Sequence, residues 1–314
     1  MQVYLIRRAI TFAVTVWLAA SLAFVTLLII PGNPAQIILG IDASPSAVAA
    51  VERALGLDEP PMVRYLRWLG DLARLDLGTS LVYGVPVGSL IAERLRVTLP
   101  LTIMALVLAT VLGVPLGLFA ARRRGSWADL AATAFAQIGI ATPSFWLGIF
   151  LILVFAVNLR WLPAGGFTPW SQNPGKAFLS LVLPAFALGL ARAASLTRIV
   201  RSAALEVLSA DYIRTARAKG VPEGVVIRRH VLRNALIAVA TVISLETAQL
   251  LAGAIIVENV FTLPGLGTLV LNAVSNRDFP LVQGIVVCIA CVILVLSLVT
   301  DILYAYLDPR IRYS

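Results

Sequence analysis

The sequence is poor in the residues that most often carry chemistry. It has one histidine (His230), two cysteines (Cys288 and Cys291) and two lysines (Lys176 and Lys219). Each scarcity closes a class of function. A zinc site needs three or four clustered ligands, and His230 sits alone in a basic stretch. A Ser–His hydrolase needs a histidine beside a serine and an orienting acid, and no such arrangement is visible. Neither lysine ends a G-x-x-x-x-G-K-[ST] pattern, so the chain cannot itself be a Walker-type ATPase. The two cysteines form a C-x-x-C inside an apolar run, with no second pair and no His or acid nearby, and read as small buried apolar side chains. Charge is scarce too, at 13% of residues against about 25% in soluble domains.

What the 314-residue sequence has instead is apolar length: 60% of residues are hydrophobic and the mean hydropathy is +0.93. The excess falls in runs of roughly 20 or more residues, enough to cross about 30 Å of hydrocarbon. Alternating strands of the membrane-barrel kind are not seen. The expected fold class is an all-α polytopic membrane protein with six transmembrane helices, at residues 9–30, 98–121, 128–157, 179–199, 235–257 and 281–306. The net charge of +9 does not point to nucleic acid, because the basic residues gather in alternate connecting segments, the pattern that sets membrane orientation. Arg7 and Arg8, residues 122–124, nine basic residues from Arg192 to Arg233, Arg310 and Arg312 lie on one side. The two short loops of the other side carry only Arg160, Lys176 and Arg277. Both termini are therefore expected in the cytoplasm. The first run is longer than a secretory signal core of about 7–15 residues and stops at the helix-breaking Pro31-Gly32-Asn33-Pro34, so it reads as a retained span.

The domain organisation follows. Residues 1–30 form the cytoplasmic N-terminus and first span. Residues 31–97 form a small extracytoplasmic subdomain with helical periods at 46–55 and 62–75, an N-cap at Ser44 with Pro45 after it, and turns marked by Gly78, Gly84, Pro86 and Gly88. Residues 98–306 form a five-helix core interrupted by a basic hairpin at 198–234, and 307–314 form a cytoplasmic tail. No inverted internal repeat of the kind found in many secondary transporters is visible.

Four places in this frame carry candidate function. Glu246 lies near the centre of the fifth span, where an ionisable group must face the bundle interior or water; it is either a polar wall of a translocation path or a structural carboxyl bonded to another helix. Glu258, with Asn259, stands at the outer end of that span as a cap or a gate contact. Pro143, in ATPSFW, marks a kink or a moving hinge in the third span. Asp301 reads as interfacial and Arg192 as snorkelling from the fourth span. In the hairpin, residues 211–219 suit a short helix, Gly220 its C-terminal stop, and Pro222 the first turn of the next helix. Small Ala216, Ala218 and Gly220 permit close approach by another surface, with Tyr212 as an aromatic anchor; a basic loop on anionic lipid is the plainer alternative.

The segment DYIRTARAKG, followed by HVLRNAL at residues 230–236, resembles the cytoplasmic coupling loop of ABC importer permeases, and more narrowly the dipeptide/oligopeptide (peptide/nickel) permease family. PGNPA (31–35), LGLDEPPMVRYLRWL (55–69), DLGTS (76–80), ERLRVTLPLT (93–102), VENVFTLPGLG (257–267) and DPRIRYS (308–314) continue the resemblance to its B-type subunits along the whole chain. The general importer pattern is Glu-Ala-Ala, three residues, Gly, nine residues, Ile-x-Leu-Pro. Here Arg214, Thr215 and Ala216 hold the first places, Gly220 the glycine, and His230, Leu232 and Arg233 the last, a variant common in the peptide branch. Glu246 stands where the resemblance implies a neutral residue.

The resemblance implies a translocation path for di- or oligopeptides worked by alternating access. It implies as partners a second, different permease subunit, two ATPase subunits, an extracytoplasmic solute-binding protein and membrane lipid. No cofactor belongs to this chain, and ATP and Mg belong to the ATPases. ATPase coupling is assigned to Asp211, Tyr212, Ile213, Arg214, Thr215, Ala216, Arg217, Ala218, Lys219 and Gly220, and the path to Glu246, Glu258 and Pro143. The chain itself is then a transport subunit and not an enzyme. The alternatives are an ion-coupled carrier using Glu246 as a proton site, or the same importer class carrying a nickel chelate, glutathione or another small solute.

Overall fold

Long apolar segments with no internal polar partner satisfy their backbone groups only as helices when they cross lipid, and most of the described residues are helical. A computed structural model describes residues 2–29, 34–39, 43–54 and 56–307. The order is α1 (Gln2–Ile29), α2 (Pro34–Leu39), α3 (Pro45–Ala54), α4 (Pro61–Ala73), α5 (Val87–Arg122), α6 (Trp127–Ala141) and α7 (Ser144–Leu151). After α7, a π-helical turn over Ile152–Asn158 leads to α8 (Pro174–Leu208), α9 (Asp211–Ala218) and α10 (Glu223–Val225). A second π-helical turn, Val226–Val231, runs into α11 (Leu232–Val260), and α12 (Leu266–Ser275) and α13 (Phe279–Leu307) complete the chain.

Among the described residues, four helices are long and apolar enough to span a membrane: Arg8–Ile29 of α1, then α5, α8, and Phe279–Val299 of α13. A fifth candidate is the pair α6 and Ser144–Asn158, bent by 101°. The break sits at Pro143, whose φ of −64° and ψ of 137° follow an extended Thr142. A proline and its predecessor both resist continuing a helix there. The segment expected as the fifth span lies within the 29-residue α11.

The helices outrun the apolar stretches at several ends. Gly88 is a helical residue in α5 rather than a turn, because Pro86 starts a helix that runs on without a break into the second expected span. The 258–280 segment is not wholly loop, since it contains α12. The tail 308–314 lies outside the described residues.

The chain divides into two compact units, residues 1–96 with 268–294 and residues 97–267 with 295–314. In the first, α4 docks on α1 through aromatic contacts, Phe24 lying 5.3 Å from Tyr65 and 5.8 Å from Trp68. Ser44 caps α3, its hydroxyl accepting from the Ala47 amide at 3.3 Å. The loop at 76–86 is fastened by Asp278, which is fully buried. Its carboxylate accepts from the Ser80 hydroxyl and from the amides of Leu81 (3.1 Å), Val82 (3.2 Å) and Leu281 (3.3 Å).

In the second unit α8 is the central element, packed against α6, α7 and α11. Leu101, Leu181, Leu188, Leu250 and Phe261 fill its core. The contact of α5 with α8 depends on missing side chains. A Cβ added at Gly113 would stand 2.9 Å from the Ala193 carbonyl oxygen, and one at Gly117 2.7 Å from that of Thr197. From the other side, a Cβ at Gly189 would stand 2.7 Å from the Ala105 carbonyl oxygen. Small residues at such crossings let membrane helices approach closely.

Candidate functional site

The hairpin is built around one buried side chain. In α9 only Ile213 is fully buried, packed with Ala121, Ala204, Val226 and Val231. Tyr212, Arg214, Thr215, Arg217 and Ala218 are exposed and Ala216 is half-buried. Asp211 in the first turn and Arg217 in the last complement the helix dipole. The helix ends at Lys219, and Gly220 takes φ +75°. The Gly220 amide donates to the Arg217 carbonyl at 2.9 Å and the Val221 amide to that of Ala216 at 3.2 Å. These two bonds form a Schellman termination, with the left-handed residue supplied by glycine.

Beyond it Pro222 starts α10, and the turn is closed by a two-pronged ion pair. Arg217 donates to both oxygens of Glu223, at 3.1 and 2.7 Å. That hydrogen-bonded guanidinium holds the Glu223 carboxyl below the usual carboxylate range, with the Arg122 charge adding to the effect, and Glu223 in turn raises Arg217. The Arg214–Asp211 pair is long, at 3.5 Å, and exposed, so it contributes little. Tyr212 lies near His230, ring centroids 6.4 Å apart.

The charges of α8 and α11 meet. Glu246 accepts from Arg192 Nη1 at 3.2 Å, so the α8 arginine reaches toward α11. Glu258 is fully buried. It accepts from the Thr98 hydroxyl at 2.6 Å and from the Gly267 amide at 2.7 Å, while the Leu266 amide donates to Thr98 Oγ1 at 2.8 Å. The carboxylate thus sits inside the turn between α11 and α12, where a Cβ on Gly265 would collide with it. Asn259 points elsewhere, its amide donating to the Ile255 carbonyl at 2.8 Å. Pro143 is at the α6–α7 break. The Asp301 side chain lies outside the described residues.

Sequence reasoning missed two residues. Asp129 is buried and receives Arg201 Nε at 2.5 Å and Nη2 at 2.9 Å, with the Gly125 amide at 3.0 Å. Its only local signal is the Ser126-x-x-Asp129 spacing of a helix start, where the Ser126 hydroxyl accepts from the Asp129 amide at 3.4 Å. Thr98, the link between Glu258 and Leu266, lies in the family-like segment at 93–102, but nothing in that segment says what its hydroxyl bonds to. Among the described residues, no group of three or more His, Cys, Asp or Glu side chains is placed to hold a metal.

The sequence model described as "Binding-protein-dependent transport system inner membrane component" covers residues 113–313, and its N-terminal counterpart covers residues 1–102. The chain belongs to this family. This permease is 40% identical to the dipeptide transport system permease protein DppB of Alkalihalophilus pseudofirmus, over 100% of both chains. It is also 40% identical to the glutathione transport system permease protein GsiC of Salmonella paratyphi A, over 99% of both. Its fold resembles a chain of the inward-facing MetNI methionine ABC transporter, with a TM-score of 0.58 and 18% identity over 70% of this chain and 96% of that one. The permease is therefore a multi-pass inner membrane subunit of an ABC importer. It is not an enzyme, because ATP hydrolysis occurs in separate subunits. An ion-coupled carrier working alone is not favoured.

Proposed function

We propose that this permease is the B-type subunit of a peptide importer. It spans the membrane six times with both termini cytoplasmic, and residues 31–97 lie outside. It pairs with a second, different permease chain, two ATPase subunits that bind ATP and Mg, and an extracytoplasmic solute-binding protein. Peptide cargo is supported by full-length similarity to permeases named for dipeptide and glutathione transport. Glu246, Glu258 and Pro143 belong to the translocation half of the mechanism, with Pro143 as the break between two half-helices.

The observation that carries the coupling assignment is the construction of α9. Ile213 anchors it from beneath, a Schellman turn and the Arg217–Glu223 pair close its end, and the outer face stays exposed. Such a helix moves with the bundle as one piece, so a push on its outer face reaches α8 and α11. A chain without a phosphate-binding loop needs that push from a partner.

Site-directed cross-linking in the assembled complex tests this. A Tyr212→Cys variant, half-exposed at the native position, is expected to cross-link to an ATPase subunit. A Leu75→Cys variant, exposed but proposed to lie outside, is expected not to. An intact complex in which Tyr212→Cys reaches no ATPase would sink the coupling assignment.

A further inference from the structure

Arg192 and Glu246 bring opposite charges together between two long helices. Each lies near the middle of its helix, Arg192 in α8 and Glu246 in α11. A charged group at the bilayer centre faces a bundle interior or water rather than lipid. Their contact is loose: a single Nη1–Oε2 approach of 3.2 Å. The Arg201–Asp129 pair near the end of the same α8 makes two, at 2.5 and 2.9 Å. A guanidinium offers five donors, and 30% of the Arg192 side chain and 12% of the Glu246 side chain remain accessible.

The polar surface continues on both helices. Ser195, one turn along α8 from Arg192, is half-buried, and Gln249, one turn along α11 from Glu246, is exposed. Residues three apart share a helix face. Two packed helices thus show an accessible polar strip with one cation and one anion at its centre. A buried pair kept only for stability gains little over apolar side chains of the same volume.

We propose that Arg192 and Glu246 form a charge-matched subsite over which a peptide with free termini passes. Its α-carboxylate engages the Arg192 guanidinium and its α-ammonium engages Glu246. The inference rests on the peptide reading above. On arrival the loose pair opens, and each protein charge exchanges one partner for another, so none is left bare. A peptide with a blocked terminus leaves one protein charge unpaired, and that penalty is the source of selectivity.

The test uses the full complex in proteoliposomes, with ATP and the solute-binding protein, and three cargos: a free alanyl peptide, its N-acetyl form and its C-amide. The same binding protein serves every variant, so its own preference cancels when variants are compared. Glu246→Gln is expected to lower discrimination against the N-acetyl form by about tenfold and leave that against the C-amide unchanged; Arg192→Gln is expected to do the reverse, the size being that of one charge-assisted contact. Equal loss for all three cargos, or unchanged discrimination in both variants, overturns the proposal. If the single variants do not assemble, the apolar pair Arg192→Met with Glu246→Leu is expected to assemble and lose both preferences. Its failure to assemble, or its retention of wild-type preferences, makes the pair structural and overturns the proposal too. Wild-type complex that takes up none of the three cargos disproves the peptide reading itself, before any variant is made.

Discussion

At the residue level Gly220 has the most specific demand. Its φ of +75° lies in the left-handed region, yet a Cβ added there would meet nothing within 4 Å. The requirement is therefore conformational and not steric, and it comes from the end of α9. A non-glycine residue in this region costs about 1–2 kcal/mol, with asparagine the best tolerated. We expect Gly220→Val to assemble at wild-type levels but lose most ATP-dependent uptake, because the hairpin relaxes out of its Schellman geometry. Gly220→Asn should keep most of it. Uptake assays normalised to complex recovered by affinity purification decide the matter, and normal transport by the valine variant would disprove a rigid coupling turn. The turn itself is legible in sequence, since a glycine three residues after an arginine and two before a proline is a helix stop. The Arg217–Glu223 closure and the burial of Ile213 are not, because both depend on where the chain returns after Pro222.

At the level of elements the apolar runs were easy to find and their partners were not. Hydropathy locates α5 and α8, but the reason Gly113 and Gly117 occur in α5 is a surface of α8. From sequence alone these glycines are merely tolerable in a membrane helix. In the structure they permit a helix crossing so close that backbone oxygens of α8 occupy the space of their missing side chains. Gly139 shows the same thing for α6, where an added Cβ would lie 2.5 Å from Ala194 Cβ. Gly117→Val should therefore force α5 and α8 apart. Overpacking of this kind costs about 1–3 kcal/mol and at times more, and here a carbonyl oxygen is among the atoms that would have to move. The expected result is a lower thermal midpoint in detergent and faster proteolysis. Gly224→Ala, whose new methyl would meet nothing within 4 Å, should leave both unchanged. A Gly117→Val protein as stable as the parent would mean the close crossing is not needed for the fold. Glu258 carries the same lesson for charge. The sequence marks an acid near the end of an apolar run, but not that the Thr98 hydroxyl, 160 residues away, and the Gly267 amide would hold it.

For the whole molecule, what the sequence lacks proved as informative as what it contains. Without a phosphate-binding loop a transport chain must take its energy from ATPase partners or from an ion gradient, and the two differ in what they require of Glu246. A proton-driven carrier needs a carboxyl free to load and release a proton during each cycle. In the structure the Glu246 side chain is instead engaged by the guanidinium of Arg192, Nη1 to Oε2 at 3.2 Å. On the proposed reading the energy route is through the hairpin, where Ile213 packs α9 against residues of α5 and α8 and the turn before α11. Purified permease alone in vesicles with an imposed proton gradient should accumulate no peptide, and adding the second permease and the binding protein should not change this. Only the further addition of the ATPase subunits with ATP and Mg should start uptake, and a non-hydrolysable ATP analogue should not sustain it. Peptide accumulation driven by the proton gradient in the absence of ATPases would place the energy source at Glu246 and remove the need for the hairpin altogether.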